Sequence, residues 1–259
     1  MTHPWFAPRA PRVLAHRGFV PPDAEDIAEN SFAAVAAAHA AGAAYVESDC
    51  HLTADGEVVL FHDEDLSRVT GDPRAVAAVT HRELDRLMTS RGGLITLRQA
   101  LETFPDVRFN LDVKADAAAL PVGRIVASHA DRVLLTSFSD TRRRAALEAA
   151  DRFAHGTRPA TSAGTATMRR VVAAVAARSP WAVRRALEGV DALQVPERHR
   201  GVRIVSPRLI DAAHRAGTEV HVWTVNNPDD MTRLLDMGVD GIVTDRADLA
   251  LRVTAPRRR

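Results

Sequence analysis

The chain has 259 residues, 46% of them hydrophobic and 5% aromatic, and carries a formal charge of +1. That length suits one α/β barrel or two smaller domains, with a core filled mainly by Ala, Val and Leu. The balanced charge excludes a global field for nucleic acid, and no apolar run approaches the length of a membrane span, so neither nucleic-acid binding nor stable membrane insertion is expected.

The first residues, MTHPWFAPRAPR, lack the apolar stretch of a signal peptide, and Cys50 is the single cysteine, unable to form an internal disulfide. Together these predict a cytoplasmic protein. Val13 to His16 reads as a strand. Ser31 to Ala41 reads as a helix, capped by Asn30 or Ser31 and stopped by Gly42. Ala44 to Asp49 is a second strand, and Thr53-Ala54-Asp55-Gly56 is a turn leading into Glu57 to Phe61, so these two strands form a hairpin.

Residues 64–94 are less regular and read as a small insertion, with a short helix from Thr80 to Met88 begun by Thr80 and Glu83. Beyond it, Thr96 caps a helix through Thr103. Strand and helix then alternate: a strand from Val107 to Val113, a helix from Ala117 to His129, a strand from Arg132 to Thr136, a helix from Asp140 to Ala150, and a weak strand from Arg152 to His155. Helical material from Thr165 to Leu187 breaks near Pro180. Ala192 to Val195 is a strand, Ser206-Pro207 opens a helix that ends at Gly217, and Glu219 to Val225 is a strand. Asp229 to Met237 is a helix stopped by Gly238, Gly241 to Thr244 is the last strand, and residues 253–259, ending in three arginines, are expected to fray as a flexible tail.

Setting aside the return strand of the hairpin, eight strands alternate with crossover helices, which requires parallel pairing. Eight such units in one 259-residue domain predict a TIM (β/α)8 barrel with a small insertion after the second strand and its active site at the C-terminal ends of the strands. An open doubly wound sheet is the alternative; the isolated Gly18 after the first strand gives it no phosphate-binding fingerprint.

Three strands end in ionisable groups: His16-Arg17, Glu47-x-Asp49 and His62-Asp63. Unpaired charges at a core boundary cost several kcal/mol each, roughly, so one shared polar site is expected. Glu47 and Asp49 alternate along a strand and share a face, as do Asn110, Asp112 and Lys114. Three carboxylates brought together repel unless a cation sits among them, and all-oxygen ligation suits Mg2+ or Ca2+. The alternative is that Glu47 pairs with an arginine, Asp49 caps a turn, and a backbone amide satisfies Asp112. His16 and His62 can move protons near neutral pH, or can simply be hydrogen-bonded strand ends. Arg17 has the fork that matches a phosphate. Lys114 is the only lysine in a chain otherwise using arginine, and it offers a compact point charge to an anion on the carboxylate face.

These segments, His16-Arg17-Gly18, Glu29-Asn30-Ser31, Glu47-x-Asp49, Thr53-x-Asp55-Gly56 and Val59-x-x-His62-Asp63, resemble the signature of the glycerophosphodiester phosphodiesterase family. Asn110-Leu111-Asp112-Val113-Lys114, Ser137-Phe138, Val222-Trp223-Thr224-Val225-Asn226 and the stretch from Gly238 to Asp245 extend the resemblance over about residues 13–250. The resemblance implies a TIM barrel that hydrolyses glycerophosphodiesters to glycerol 3-phosphate and an alcohol with one divalent cation. It places the metal on Glu47, Asp49 and Asp112, and general acid–base catalysis on His16 and His62. Arg17 and Lys114 match phosphate-contacting positions, Glu29 a supporting residue, and Trp223 an aromatic wall of the pocket or, alternatively, a barrel-rim core residue. The chain departs from the pattern at Ala28, where proline is usual, and at Asp112, where glutamate is usual. A lysophospholipase D and a non-catalytic phosphate- or metal-binding barrel are the competing readings.

Overall fold

A computed structural model describes residues 3–153 and 156–258. The chain opens with a short turn at Pro4–Phe6, then β1 (Arg12–His16), helix α1 (Phe32–Ala40), and the hairpin of β2 (Tyr45–Leu52) and β3 (Val58–Leu60). Helices α2 (Ser67–Thr70) and α3 (His81–Met88) occupy the insertion, and α4 (Leu97–Thr103) leads to β4 (Arg108–Val113). Next come α5 (Ala119–Val126), β5 (Val133–Thr136), α6 (Asp140–Phe153), β6 (Ala160–Thr161), α7 (Thr165–Ala176), α8 (Pro180–Ala186) and β7 (Ala192–Pro196). A small hairpin of β8 (Arg198–His199) and β9 (Val202–Arg203) precedes α9 (Pro207–Arg215), β10 (Glu219–Trp223), α10 (Pro228–Asp236), β11 (Gly241–Thr244) and α11 (Ala247–Thr254).

Parallel pairing runs β6-β5-β4-β2-β1-β11-β10-β7. A parallel bridge between Ser162 and Ala192 joins the two ends, and the Ala163 amide donates to the Ala192 carbonyl at 3.1 Å. The sheet is therefore an eight-stranded barrel, and the open-sheet alternative falls. β3 pairs antiparallel with β2 and stands outside the ring.

The helix starts follow the expected chemistry. Ser31 accepts from the Ala34 amide, Thr96 from the Gln99 amide, and Thr80 with Glu83 forms a reciprocal capping box. The expected strand from Arg152 to His155 is not found. Arg152 and Phe153 continue α6, where the Phe153 ring lies under the Arg124 guanidinium at 4.8 Å; Ala154 and His155 lie outside the described residues. The barrel strand here is the two-residue β6, too short to show a period. The expected frayed tail is also helical where described: Val253 and Thr254 end α11, and Arg257 reaches Asp236 at 2.6 Å.

Side chains alternate between two cores. Outward residues such as Val13, Val46, Leu111 and Val222 pack under the helices. Inward residues Leu14, Tyr45, Leu134, Ala160 and Val243 fill the barrel, and Trp5 and Phe6 close its N-terminal end. There the Trp5 indole donates to the Phe109 carbonyl, and Tyr45 donates to the Trp5 carbonyl. A third cluster, around Val59, Phe61, Leu66, Leu84 and Met88, underlies β3 and the insertion. Buried Arg12 and His221 meet Glu219 at the N-terminal floor, whereas the carboxylates Glu47, Asp49 and Asp112 lie farther along their strands, at the opposite, C-terminal mouth. No helix among the described residues is long and apolar enough to cross a membrane.

Candidate active site

The turn after β1 sets the site. Arg17 and Gly18 have φ of 57° and 86°, and the Arg17 amide donates to the Glu47 carbonyl at 2.8 Å. A Cβ on Gly18 would lie 2.7 Å from the carbonyl carbon of Ala34, so only glycine lets this turn sit against α1. Asn30 is also left-handed, with φ 58°, a conformation its short polar side chain tolerates. Its amide donates to the Arg17 carbonyl, and its side chain bridges Asp49 at 3.0 Å and Ser48 at 2.5 Å.

Each histidine is held by a carboxylate. His16 Nδ1 donates to Asp245 at 2.6 Å, and Asp245 also accepts from Asn226 at 2.7 Å. His62 Nδ1 donates to Asp63 at 2.6 Å, and Asp63 also accepts from Arg68 at 2.6 Å. An ionised carboxylate can only accept, so both rings carry their proton on Nδ1 and turn Nε2 away from the pair. Burial lowers the pKa of His16, but the Asp245 hydrogen bond and the Glu47 charge outweigh it and the net shift is upward. Asp245 is lowered by its bond to His16, and Asp63 is lowered by Arg68 and His62 against the opposing effect of burial.

Three carboxylates converge from two neighbouring strands. Register pairs Glu47 with Asn110 and Asp49 with Asp112, and all four side chains are buried. Lys114 reaches back so that Nζ lies 2.9 Å from Asp49 and 2.7 Å from Asp112. Burial and the neighbouring Asp49 raise Glu47 to a pKa of about 8, and burial raises Asp112. One oxygen of Asp112, Oδ1, is buried with no hydrogen-bond partner. This donor set fits a hard divalent ion: it is all oxygen, one oxygen is unused, and Glu47 is short of positive charge. Among the described residues no group of three such side chains closes tightly enough to form a ready cage, and the Lys114 ammonium occupies the space between two of the donors.

Arg17 binds Glu29 at 2.6 Å and approaches Asp49 at 3.4 Å, and Arg68 binds the same Glu29 oxygen at 2.6 Å. The Arg17 Nε is buried and faces Asp49 at 3.4 Å without making a hydrogen bond. Trp223 ends β10 half-buried and meets Phe138 edge-on at 5.9 Å, while the Phe138 ring lies 5.6 Å from Lys114 Nζ. Beside His16 opens a cavity of about 510 Å³, bounded by Val20, Ile27, Glu29, Arg68 and Asp245.

The model of the glycerophosphoryl diester phosphodiesterase family matches residues 16–249. The chain belongs to that family. A protein of Mycobacterium tuberculosis named probable glycerophosphodiester phosphodiesterase 2 is 37% identical over 247 residues, covering 94% of this chain and 90% of its own length. The structure of a glycerophosphodiester phosphodiesterase from Thermotoga maritima is 26% identical with a TM-score of 0.69, covering 93% of this chain and 97% of that one. An Oleispira antarctica phosphodiesterase, solved with the product sn-glycerol-3-phosphate, shares the fold at 21% identity and a TM-score of 0.73, covering 95% and 97%. As a member of this family the chain is a phosphodiesterase.

In this phosphodiesterase the expected site residues lie at one barrel mouth: Lys114 joins Asp49 to Asp112, Glu47 accepts from the Arg17 amide at 3.3 Å with His16 3.9 Å away, and Arg17 joins Asp49 to Glu29. His62 approaches on the return strand, its carbonyl accepting from His51. Trp223 stands at the rim beside Phe138 and not in the carboxylate group. Residue-by-residue reading missed the supports: Asp245, Asp63, Asn226, Asn30 and Arg68. Asp63 could have been found, because a carboxylate next to a strand-end histidine is within reach of its ring.

Proposed function

We propose that this phosphodiesterase hydrolyses glycerophosphodiesters to glycerol 3-phosphate and a free alcohol, with His16 and His62 as the proton-transfer pair. The observation that carries this reading is the matched histidine–carboxylate geometry, 2.6 Å in both cases, one pair at the end of β1 and the other just after β3. One ring, neutral, takes the proton of the attacking oxygen on Nε2, while the other, entering as an imidazolium protonated on both nitrogens, gives its Nε2 proton to the leaving alkoxide. Arg17 and Lys114 meet the phosphoryl oxygens, Glu29 fixes the Arg17 fork, and Trp223 walls the pocket on the side of Phe138.

Glu47, Asp49 and Asp112 would hold one divalent cation, Mg2+ or Ca2+. When bound, such an ion supplies charge stabilisation to the phosphoryl oxygens as they become more negative. The unpartnered Asp112 oxygen and the raised Glu47 support this assignment. Cys50, buried and without a disulfide partner, supports a cytoplasmic setting.

The test is release of glycerol 3-phosphate from glycerophosphocholine, glycerophosphoethanolamine and a lysophospholipid, with chelator and then with Mg2+ or Ca2+ restored. Cation-dependent release from the first two substrates is expected. Preference for the lysophospholipid would replace the reading with a lysophospholipase D, and no release under any ion would overturn it. The mixed lining of the cavity beside His16, with Glu29, Arg68 and Asp245 among Val20 and Ile27, suits a small polar leaving group better than an acyl chain.

A further inference from the structure

We propose that α7, α8 and α9 form a docking face for an anionic phospholipid surface, separate from the barrel mouth. Residues 152–187 hold seven arginines and no Asp or Glu, in a chain whose overall charge is only +1. A genome that favours arginine codons explains arginine in place of lysine. It does not explain a run of this length with no carboxylate.

The fold gathers part of that run around a groove of about 410 Å³ between the three helices. Val175, Val183 and Ala212 make its apolar floor, and Arg178, Arg184 and Arg208 stand on its rim. Among the described residues these three exposed guanidinium groups make no ion pair, whereas Arg142, Arg158, Arg233 and Arg246 each hold a carboxylate within 2.9 Å. The fourth rim residue, Arg215, has only Asp211 at 3.9 Å. On the first turn of α8, Trp181 is 67% exposed, and Val172 on α7 is 40% exposed.

Unneutralised arginines around an apolar floor need an anion that also brings hydrocarbon. An exposed indole beside them is the side chain favoured where headgroups meet acyl chains. Charge complementarity therefore selects a leaflet rich in anionic lipid, which attracts clustered arginines within about a Debye length. Binding is peripheral, since no described helix can cross a bilayer. None of the residues lining this groove belongs to the catalytic mouth, so docking leaves the mouth unobstructed.

The test is co-sedimentation of the full chain with vesicles of phosphatidylglycerol and phosphatidylcholine in equal parts, and with phosphatidylcholine alone. Trp5 is fully buried and Trp223 sits at the mouth, so a blue shift of emission on binding reports Trp181. Expected are binding to the anionic vesicles only, a weaker association as salt rises from about 0.1 M to about 0.5 M, and loss of the blue shift in Trp181→Phe. Arg178→Glu with Arg184→Glu should weaken binding at least about tenfold with unchanged turnover of a soluble diester, which also shows that the variant is folded. Equal binding to both vesicle types, or undiminished binding by the double variant, would overturn the proposal. So would full displacement by millimolar inorganic phosphate, which would assign the groove to a soluble anion.

Discussion

Asp49 and Asp112 stand opposite each other on neighbouring strands with the Lys114 ammonium between them, 2.9 Å from one and 2.7 Å from the other. Two buried carboxylates at this spacing repel, and the ammonium offsets that repulsion. Lys114→Ala should therefore lower stability by about 3 kcal/mol, the scale for breaking a buried charge network. Saturating Mg2+ or Ca2+ should raise the melting temperature of this variant more than that of the parent, because a ligand of the folded state stabilises it by mass action. Equal shifts would mean that cation and ammonium do not share a place. Asp112→Asn should raise the cation concentration needed for half-maximal activity.

The two histidines should be individually indispensable. His16→Ala and His62→Ala are each expected to lower kcat by at least about 10²-fold, the usual scale for proton-transfer groups. Combining them should cost little more than either alone, because the two act as a unit. Asp245→Asn and Asp63→Asn should lose about tenfold, since the rings stay in place while the preferred tautomer is lost. Normal turnover in either alanine variant would remove the acid–base assignment.

Gly18→Ala tests the turn that aims His16 and Arg17. A Cβ there meets the Ala34 carbonyl carbon at 2.7 Å, on a residue with φ of 86°. The expected cost is about 2–4 kcal/mol in urea unfolding. Turnover should fall at temperatures where the variant remains folded, because relief of the clash moves the end of β1.

At the barrel floor, Glu219 binds Arg12 at 2.7 Å and His221 at 3.0 Å. Burial alone would raise its pKa, but these hydrogen bonds win and hold it at about 2, against an ordinary 4.5. A depressed carboxylate contributes stability that is fully present above its unfolded pKa and is lost as pH falls through its folded pKa. Such a shift corresponds to about 3 kcal/mol at pH 7. Glu219→Gln should therefore be less stable than the parent by about that amount at neutral pH, and the gap should close between about pH 4.5 and pH 2. A gap that stays constant over that range would show that the ion pair is not its source.

The carboxylate group was legible in the sequence because strand alternation is local: Glu47 and Asp49 share a face whatever the rest of the chain does. Asp112 and Lys114 followed from the same rule. Alternation puts Lys114 on the face of Asp112, toward a substrate anion, and only the register of β2 against β4 brings it between two aspartates. Asp245 was out of reach of this reasoning. It meets His16 across 229 residues, through the pairing of the first strand with the last, which is a property of barrel closure. β6 was missed for the opposite reason, since two residues carry no periodicity and its backbone is fixed by neighbours on both sides.

His62 follows β3, which pairs with β2 but is not part of the closed ring, and rests on the small core shared with the insertion. His16 belongs to the ring itself. The proposed proton-transfer pair is thus divided between two bodies of unequal cohesion. Segments with less buried apolar area open first on warming. Heat should therefore separate the two rings while the barrel still reads as native, so that the temperature of inactivation lies below the temperature of melting. The upper working temperature is then set by a short appendage, and changes confined to residues 64–94 can tune it without touching a barrel strand.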